Sequence, residues 1–146
     1  MPKKLSYEYI RGLVEGEGCF TLHTIGPSNQ KRKIAAFVIG MSARDKDLLI
    51  SVRDTLGLRN KVYEYKPRIR SDGYKRLGMA ILCVRDIGQI KNIIVPFFYK
   101  RLHGNKGIQF EKWLEDIGSD PLVSNGHKFI HKIYKAGFYD RNPKYV

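Results

Sequence analysis

Nothing in this chain approaches the roughly 20 consecutive apolar residues that span a bilayer, and no basic-then-apolar leader opens it. The expectation is therefore an intracellular protein with no signal peptide and no membrane partner. Cysteine is scarce. Cys19 and Cys83 are the only two, each inside an apolar strand-like run, which excludes a disulfide framework and zinc-finger spacing and predicts buried free thiols in a reducing compartment. The Gly-x-Ser-x-Gly elbow, the phosphate-cradling Gly-Lys-Ser/Thr loop and the His-Glu-x-x-His pair are all missing. Acids are few as well: 14 Asp and Glu against 27 Lys and Arg leave a formal charge of +13, more than solubility needs and suited to a polyanion. Nucleic acid is the leading partner.

What is present is one domain's worth of chain, residues 1–146, long enough to bury a core without disulfides or structural metal. Ser6 as N-cap with Ile10, Leu13 and Val14 at helical spacing predicts a helix over 7–16. Alternation predicts strands over 19–25 and 34–41, joined by a polar, basic turn. A helix follows from Asp45 through Leu48, Leu49, Val52 and Leu56, with Gly57 as its C-cap. A second hairpin, 61–70 and 74–84, turns at Ser71-Asp72-Gly73. Two helices, 86–94 and 108–117, are separated by Pro96 and a basic Lys100-Arg101 loop, with a terminal helix near 129–135. The order helix, hairpin, helix, hairpin, helix indicates an α+β fold on a four-stranded antiparallel sheet.

The stretch Ile10 to Gly18 carries the most information. Gly12 and Gly16 lie one turn apart on one helix face, and each costs about 1 kcal/mol relative to alanine, which suggests a close backbone-to-backbone contact. Glu15 and Glu17 fall at the helix C-terminus, where the dipole carries about half a negative charge and a bound cation would be stabilising. A lone Gly-x-x-x-Gly would be read as an ordinary amphipathic helix with solvated glutamates. Here glycines, acids and helix end coincide, which describes a helix packed on a copy of itself with hard oxygen ligands suited to Mg²⁺ at its lower end.

Those nine residues resemble the LAGLIDADG motif of homing endonucleases, with Gly12, Leu13, Val14, Glu15, Glu17 and Gly18 matching in kind and Ile10 and Arg11 departing. The resemblance covers roughly residues 5–117 and implies the αββαββα fold, a saddle-shaped four-stranded sheet with helices on one face. One motif copy implies a homodimer, joined through Gly12, Leu13, Glu15 and Gly16. The implied activity is intron-encoded, site-specific cleavage of double-stranded DNA at a long pseudo-palindromic target, across the minor groove, leaving 3′ overhangs. By the same resemblance Glu17 and the carbonyl of Gly16 are ligands of Mg²⁺, or of Mn²⁺ or Ca²⁺ in its place, while Glu15 serves for capping and structure. The basic residue near the scissile phosphate is Lys106, with Lys100 or Arg101 as the alternative. Met41 stands where relatives often carry a glutamine. Two other readings share the fold: an intron-RNA-binding maturase and a non-catalytic DNA-binding regulator.

A twisted antiparallel ribbon fits the major groove, where one face reads base edges and flanking cations hold phosphates. On the first hairpin alternation selects Thr21, His23, Arg32, Ile34, Ala36 and Val38, with Asn29, Gln30 and Lys31 at the tip. Arg44 follows, and the second hairpin contributes Lys66, Arg68, Arg70 and Arg76, with Tyr63, Tyr65 and Tyr74 ambiguous between sheet face and core. His127 and His131 stand at i, i+4 but lack a further ligand, so exposed or phosphate-facing histidines are expected there. Trp113 reads as core.

Overall fold

The computed structural model describes residues 3–141 together with Lys144 and Tyr145. Ser6 is extended, and its hydroxyl accepts the amide of Tyr9 at 3.1 Å, which starts α1 (Tyr7–Glu17). The helix stops where Gly18 turns extended, and the chain runs straight into β1 (Gly18–Ile25). β1 pairs antiparallel with β2 (Arg32–Ser42), from Gly18 opposite Ile39 to Ile25 opposite Arg32. Gly26 makes the turn at φ +94°, where a Cβ would lie 2.7 Å from the carbonyl oxygen of Gln30. After a short 3₁₀ turn, α2 (Lys46–Leu56) ends on Gly57 in the left-handed region, as its sequence position predicts.

The second hairpin differs from the two continuous arms expected. β3 (Val62–Tyr65) and β6 (Met79–Val84) join the main sheet, whose order is β1-β2-β6-β3, whereas β4 (Arg68–Ile69) and β5 (Lys75–Arg76) form a separate two-stranded ribbon at the tip. Pro67 supplies no amide hydrogen, and the Gly78 carbonyl is taken by the amide of Ala43 at 3.0 Å, so the ladder breaks between the two pieces.

Asp86 caps α3 (Ile87–Gln89), which continues through a π turn (Ile90–Ile94) into α4 (Val95–Phe98). Pro96, expected to separate two helices, lies inside this run. The π turn bonds the Val95 amide to the Ile90 carbonyl and places Pro96 in the first turn of the next segment, where a missing N–H is tolerated. α5 (Asn105–Ser119) starts before residue 108: Gly104, Asn105 and Gly107, which read as loop residues, form its N-cap and first turn. Similarly α6 (Asn125–Lys135) begins ahead of 129 on a Ser124 cap, and α7 (Phe138–Arg141) follows. Among the described residues no helix is long and apolar enough to cross a membrane.

Helices α1, α2 and α5 and the π turn pack against one sheet face, the one carrying Phe20, Ala35, Phe37, Ile39, Val62, Ala80, Leu82 and Val84, while α6 packs on α5 and α7 on α6. Phe20 is its hub, with ring centroids 4.9 Å from Phe110, 5.2 Å from Trp113 and 5.3 Å from Phe37. Trp113 is buried as expected, and its indole N–H donates to the Thr21 carbonyl at 2.8 Å. The cysteines are corrected: Cys19 is exposed and Cys83 half-buried, because both point to the sheet face away from the helices. Arg11, one of the two off-pattern residues of the motif, is buried. Its guanidinium donates to the carbonyls of Phe97 and Tyr145 and lies 4.4 Å from the Phe97 ring centroid.

Candidate catalytic site and nucleic-acid interface

Two acids leave the last turn of α1 and meet different fates. Glu15 Oε1 accepts the amide of His103 at 3.1 Å and that of Gly104 at 2.5 Å. These bonds, the one from Gly104 foremost, hold its carboxyl below the usual range. The carboxylate thus supplies the cap that α5 lacks, since its own N-cap is Gly104. Glu17, the last residue of α1, is exposed and makes no hydrogen bond or ion pair among the described residues. Lys106, in the first turn of α5, crosses to the same end of α1 and donates to the carbonyl of Gly18 at 2.6 Å. Glu17 and Lys106 are thereby gathered at one corner of the molecule, although 88 positions separate Lys106 from Gly18 in the chain.

The alternative cations are placed differently. Lys100 pairs with Asp140 at 2.9 Å, which raises its pKa and turns its charge toward α7, and Arg101 is half-buried. A Cβ on Gly12 or Gly16 would meet nothing within 4 Å, so packing within the chain makes no use of their small size, and Leu13 beside them is half-buried. Among the described residues no three His, Cys, Asp or Glu side chains gather as a metal cluster. The donors at the lower end of α1 are all oxygen, the Glu17 carboxylate and the last-turn carbonyls. That set fits a hard divalent cation in kind and falls short of its usual coordination number.

The outer sheet face is the second element. Register places Thr21, His23, Arg32, Ile34, Ala36 and Val38 together on it, with Met79, Ile81 and Cys83 of β6 alongside. Ala36 is a correction: its single methyl is too short to reach past the longer side chains of the face, and it has no exposed surface with which to make a contact. His23 is half-buried, and burial followed by the charge of Arg85 lowers its pKa, favouring the neutral imidazole. Asn29, Gln30, Lys31 and Arg32 are exposed at the tip, and Arg44 is exposed just past β2. The hairpin's far end is buttressed: Lys33 exchanges backbone bonds with Leu122 and Ser124 and ion-pairs with Asp120 at 2.7 Å. Lys66, Arg68 and Arg70 are exposed on the second hairpin, while the side chain of Arg76 lies outside the described residues. Tyr63 and Tyr65 pair opposite Ile81 and Met79, which assigns them to the outer face, each about half exposed. Sequence reasoning left out the β6 residues of that face, although their odd-numbered positions alternate with Ala80, Leu82 and Val84 of the core.

Met41 faces the helices opposite Ala80 and packs against the core. The histidine pair does not converge. His127 is buried, with Ser124 Oγ 2.9 Å from Nδ1 and the Arg85 carbonyl 3.0 Å from Nε2, whereas His131 faces Glu115 at 3.6 Å. The expectation of a phosphate-facing His127 is therefore corrected: it ties α6 to the end of β6.

The pattern that defines the LAGLIDADG endonuclease family matches residues 10–117, from within α1 to the end of the buried stripe of α5. This chain belongs to that family. Solved structures agree on the fold. The homing endonuclease I-TnaI is 22% identical with a TM-score of 0.60, and the alignment covers 96% of this chain and 100% of that one. I-LtrWI, determined bound to target DNA, is 24% identical with a TM-score of 0.61 and covers 96% of this chain. I-GzeII, determined in complex with its DNA target, is 25% identical over 91% of this chain, with a TM-score of 0.62. The chain spans about half the length of the latter two, 49% and 44%, and matches I-TnaI at full length. Organisation on a single motif fits this LAGLIDADG chain, whose helices and four-stranded antiparallel sheet follow the family's layout.

Proposed function

We propose that this chain is a site-specific, metal-dependent endonuclease of double-stranded DNA that acts as a homodimer. The observation that carries the reading is the free Glu17 carboxylate at the exposed end of α1, with the Lys106 ammonium fixed on the adjoining carbonyl of Gly18. Glu17 and the Gly16 carbonyl would hold Mg²⁺, or Mn²⁺ or Ca²⁺ in its place. A bound cation supplies an activated water and neutralises the leaving oxygen of the phosphodiester. Lys106 adds a fixed positive charge beside the reacting phosphate, where preorganised charge is most effective. The open Gly12 and Gly16 let a second α1 approach closely, which would bring two copies of Glu17 together for the two strands. Family resemblance then implies a long pseudo-palindromic target, cut across the minor groove with 3′ overhangs, by an intron-encoded enzyme.

Recognition falls to the outer sheet face. Thr21 and His23 present hydrogen-bonding groups, Ile34 and Val38 present methyls suited to thymine, and Arg32, Arg44, Lys66, Arg68 and Arg70 hold phosphates or guanines. One observation favours a second reading, a DNA-binding regulator without catalysis: Met41 packs into the core where many relatives carry a glutamine. The retained Glu15 and Glu17 weigh against it. The test is incubation with a randomised duplex library and Mg²⁺, followed by sequencing of any new ends. Discrete cuts at a near-palindromic site support the endonuclease. Binding without cuts favours the regulator, and preference for structured intron RNA over duplex DNA favours the maturase.

A further inference from the structure

We propose that Glu15 is the positioning residue of Lys106, acting through the His103-Gly104 turn; this rests on the reading of Lys106 as the cation beside the reacting phosphate. A closed circuit of hydrogen bonds joins the end of α1 to the start of α5. Glu15 Oε1 takes the consecutive amides of His103 and Gly104, the Gly104 carbonyl takes the amide of Gly107 at 2.9 Å, and Lys106, within that turn, returns to the carbonyl of Gly18.

A lysine side chain is long and rotatable, so where its ammonium rests depends on where its helix begins. Here the beginning of α5 is set by a carboxylate on the helix that also carries Glu17. Separation of Glu17 from Lys106 is therefore governed by one short element, α1, and by the single turn docked onto it. The turn is shaped for this contact. A Cβ on Gly104 would lie 3.1 Å from Glu15 Oε1, and one on Gly107 would lie 3.1 Å from the Leu102 carbonyl. Gly104 has φ −95° and ψ −160°, a conformation open to any residue, so close approach by Glu15 and not backbone strain accounts for a glycine there.

A double-mutant cycle tests this on the full chain, reading single-turnover cleavage, DNA affinity and melting temperature of Glu15→Gln, Lys106→Ala and the pair. Glu15→Gln should slow cleavage about tenfold by misplacing the ammonium, with affinity unchanged. Lys106→Ala should slow it on the order of a hundredfold, and the pair should cleave no more slowly than Lys106→Ala alone. Independent, multiplying losses would overturn the proposal, because Glu15 would then act by another route. An unaffected Lys106→Ala would also overturn it, and with it the catalytic role of Lys106, while leaving Glu17 to its own test. Should Glu15→Gln fail to fold, Gly104→Ala crowds the same oxygen from the other side. It should slow cleavage in the wild-type background and not in Lys106→Ala; equal slowing in both would overturn the proposal.

Discussion

The lower end of α1 and the outer face of the sheet solve different problems with different economies of residues. The proposed site at the helix end rests on three side chains, two of them fixed by the chain itself: Glu15 by two amides and Lys106 by one carbonyl, which leaves Glu17 free. Across the sheet many side chains, most of them half-buried, share one face. Those cations that are paired, such as Arg70 with Asp72 at 3.7 Å, are held loosely and in water. Damage should accordingly be steep at the helix end and gradual on the sheet. A site built from one free carboxylate fails outright when that group goes, whereas a face built from dispersed contacts loses affinity by small steps.

The largest effect should come from Glu17→Gln. It removes the charged metal ligand and nothing else, so cleavage should fall on the order of a thousandfold or more while DNA affinity stays near wild type. Single-turnover cleavage and equilibrium binding on one target measure both. Next comes Gly12→Leu. The position faces open space within the chain, so the melting temperature of the monomeric fold should hold while the dimer dissociates and double-strand cutting disappears, as read by analytical ultracentrifugation. An undisturbed dimer would detach the helix end from the proposed two-fold axis.

Smaller again is Arg68→Ala on the exposed ribbon. Affinity should drop uniformly across DNA sequences, and the slope of log K against log salt should shrink by about 1 if the contact is to phosphate. A sequence-specific loss would move Arg68 to base reading. Smallest is Asp120→Asn, behind the first hairpin. The Lys33 ammonium, foremost, holds the Asp120 carboxyl below its ordinary value. The pair's contribution is therefore complete above the ordinary carboxylate pKa and is lost as pH falls through the lowered folded value. Wild type should lose melting temperature on that acid limb, and Asp120→Asn should lose less.

The two regions were also unequally legible. Alternation places Thr21, His23, Ile34 and Val38 on one face because strand geometry is local, and the coincidence of glycines and acids before Gly18 marks the helix end for the same reason. What stayed hidden depends on distant partners. Arg11 can be buried because the distant Phe97 and Tyr145 carbonyls, besides the Glu8 carboxylate, accept from its guanidinium. The start of α5 is concealed by Gly104 and Asn105, turn-forming residues that become the N-cap and first residue of the helix, with Glu15 accepting the Gly104 amide. Cys19 looks like a core residue in an apolar run, yet its parity in β1 sends it outward. Pro96 mimics a boundary until the π turn admits it, and the split of the second hairpin at Pro67 follows from a carbonyl on Gly78 that belongs to Ala43.

The most direct test is to titrate Mg²⁺ into complexes of wild-type and Glu17→Gln protein on the same duplex target, following cleavage and binding together. Metal-dependent cutting by wild type and none by Glu17→Gln, at matched affinity, is the expected result. Full cutting by Glu17→Gln would contradict it.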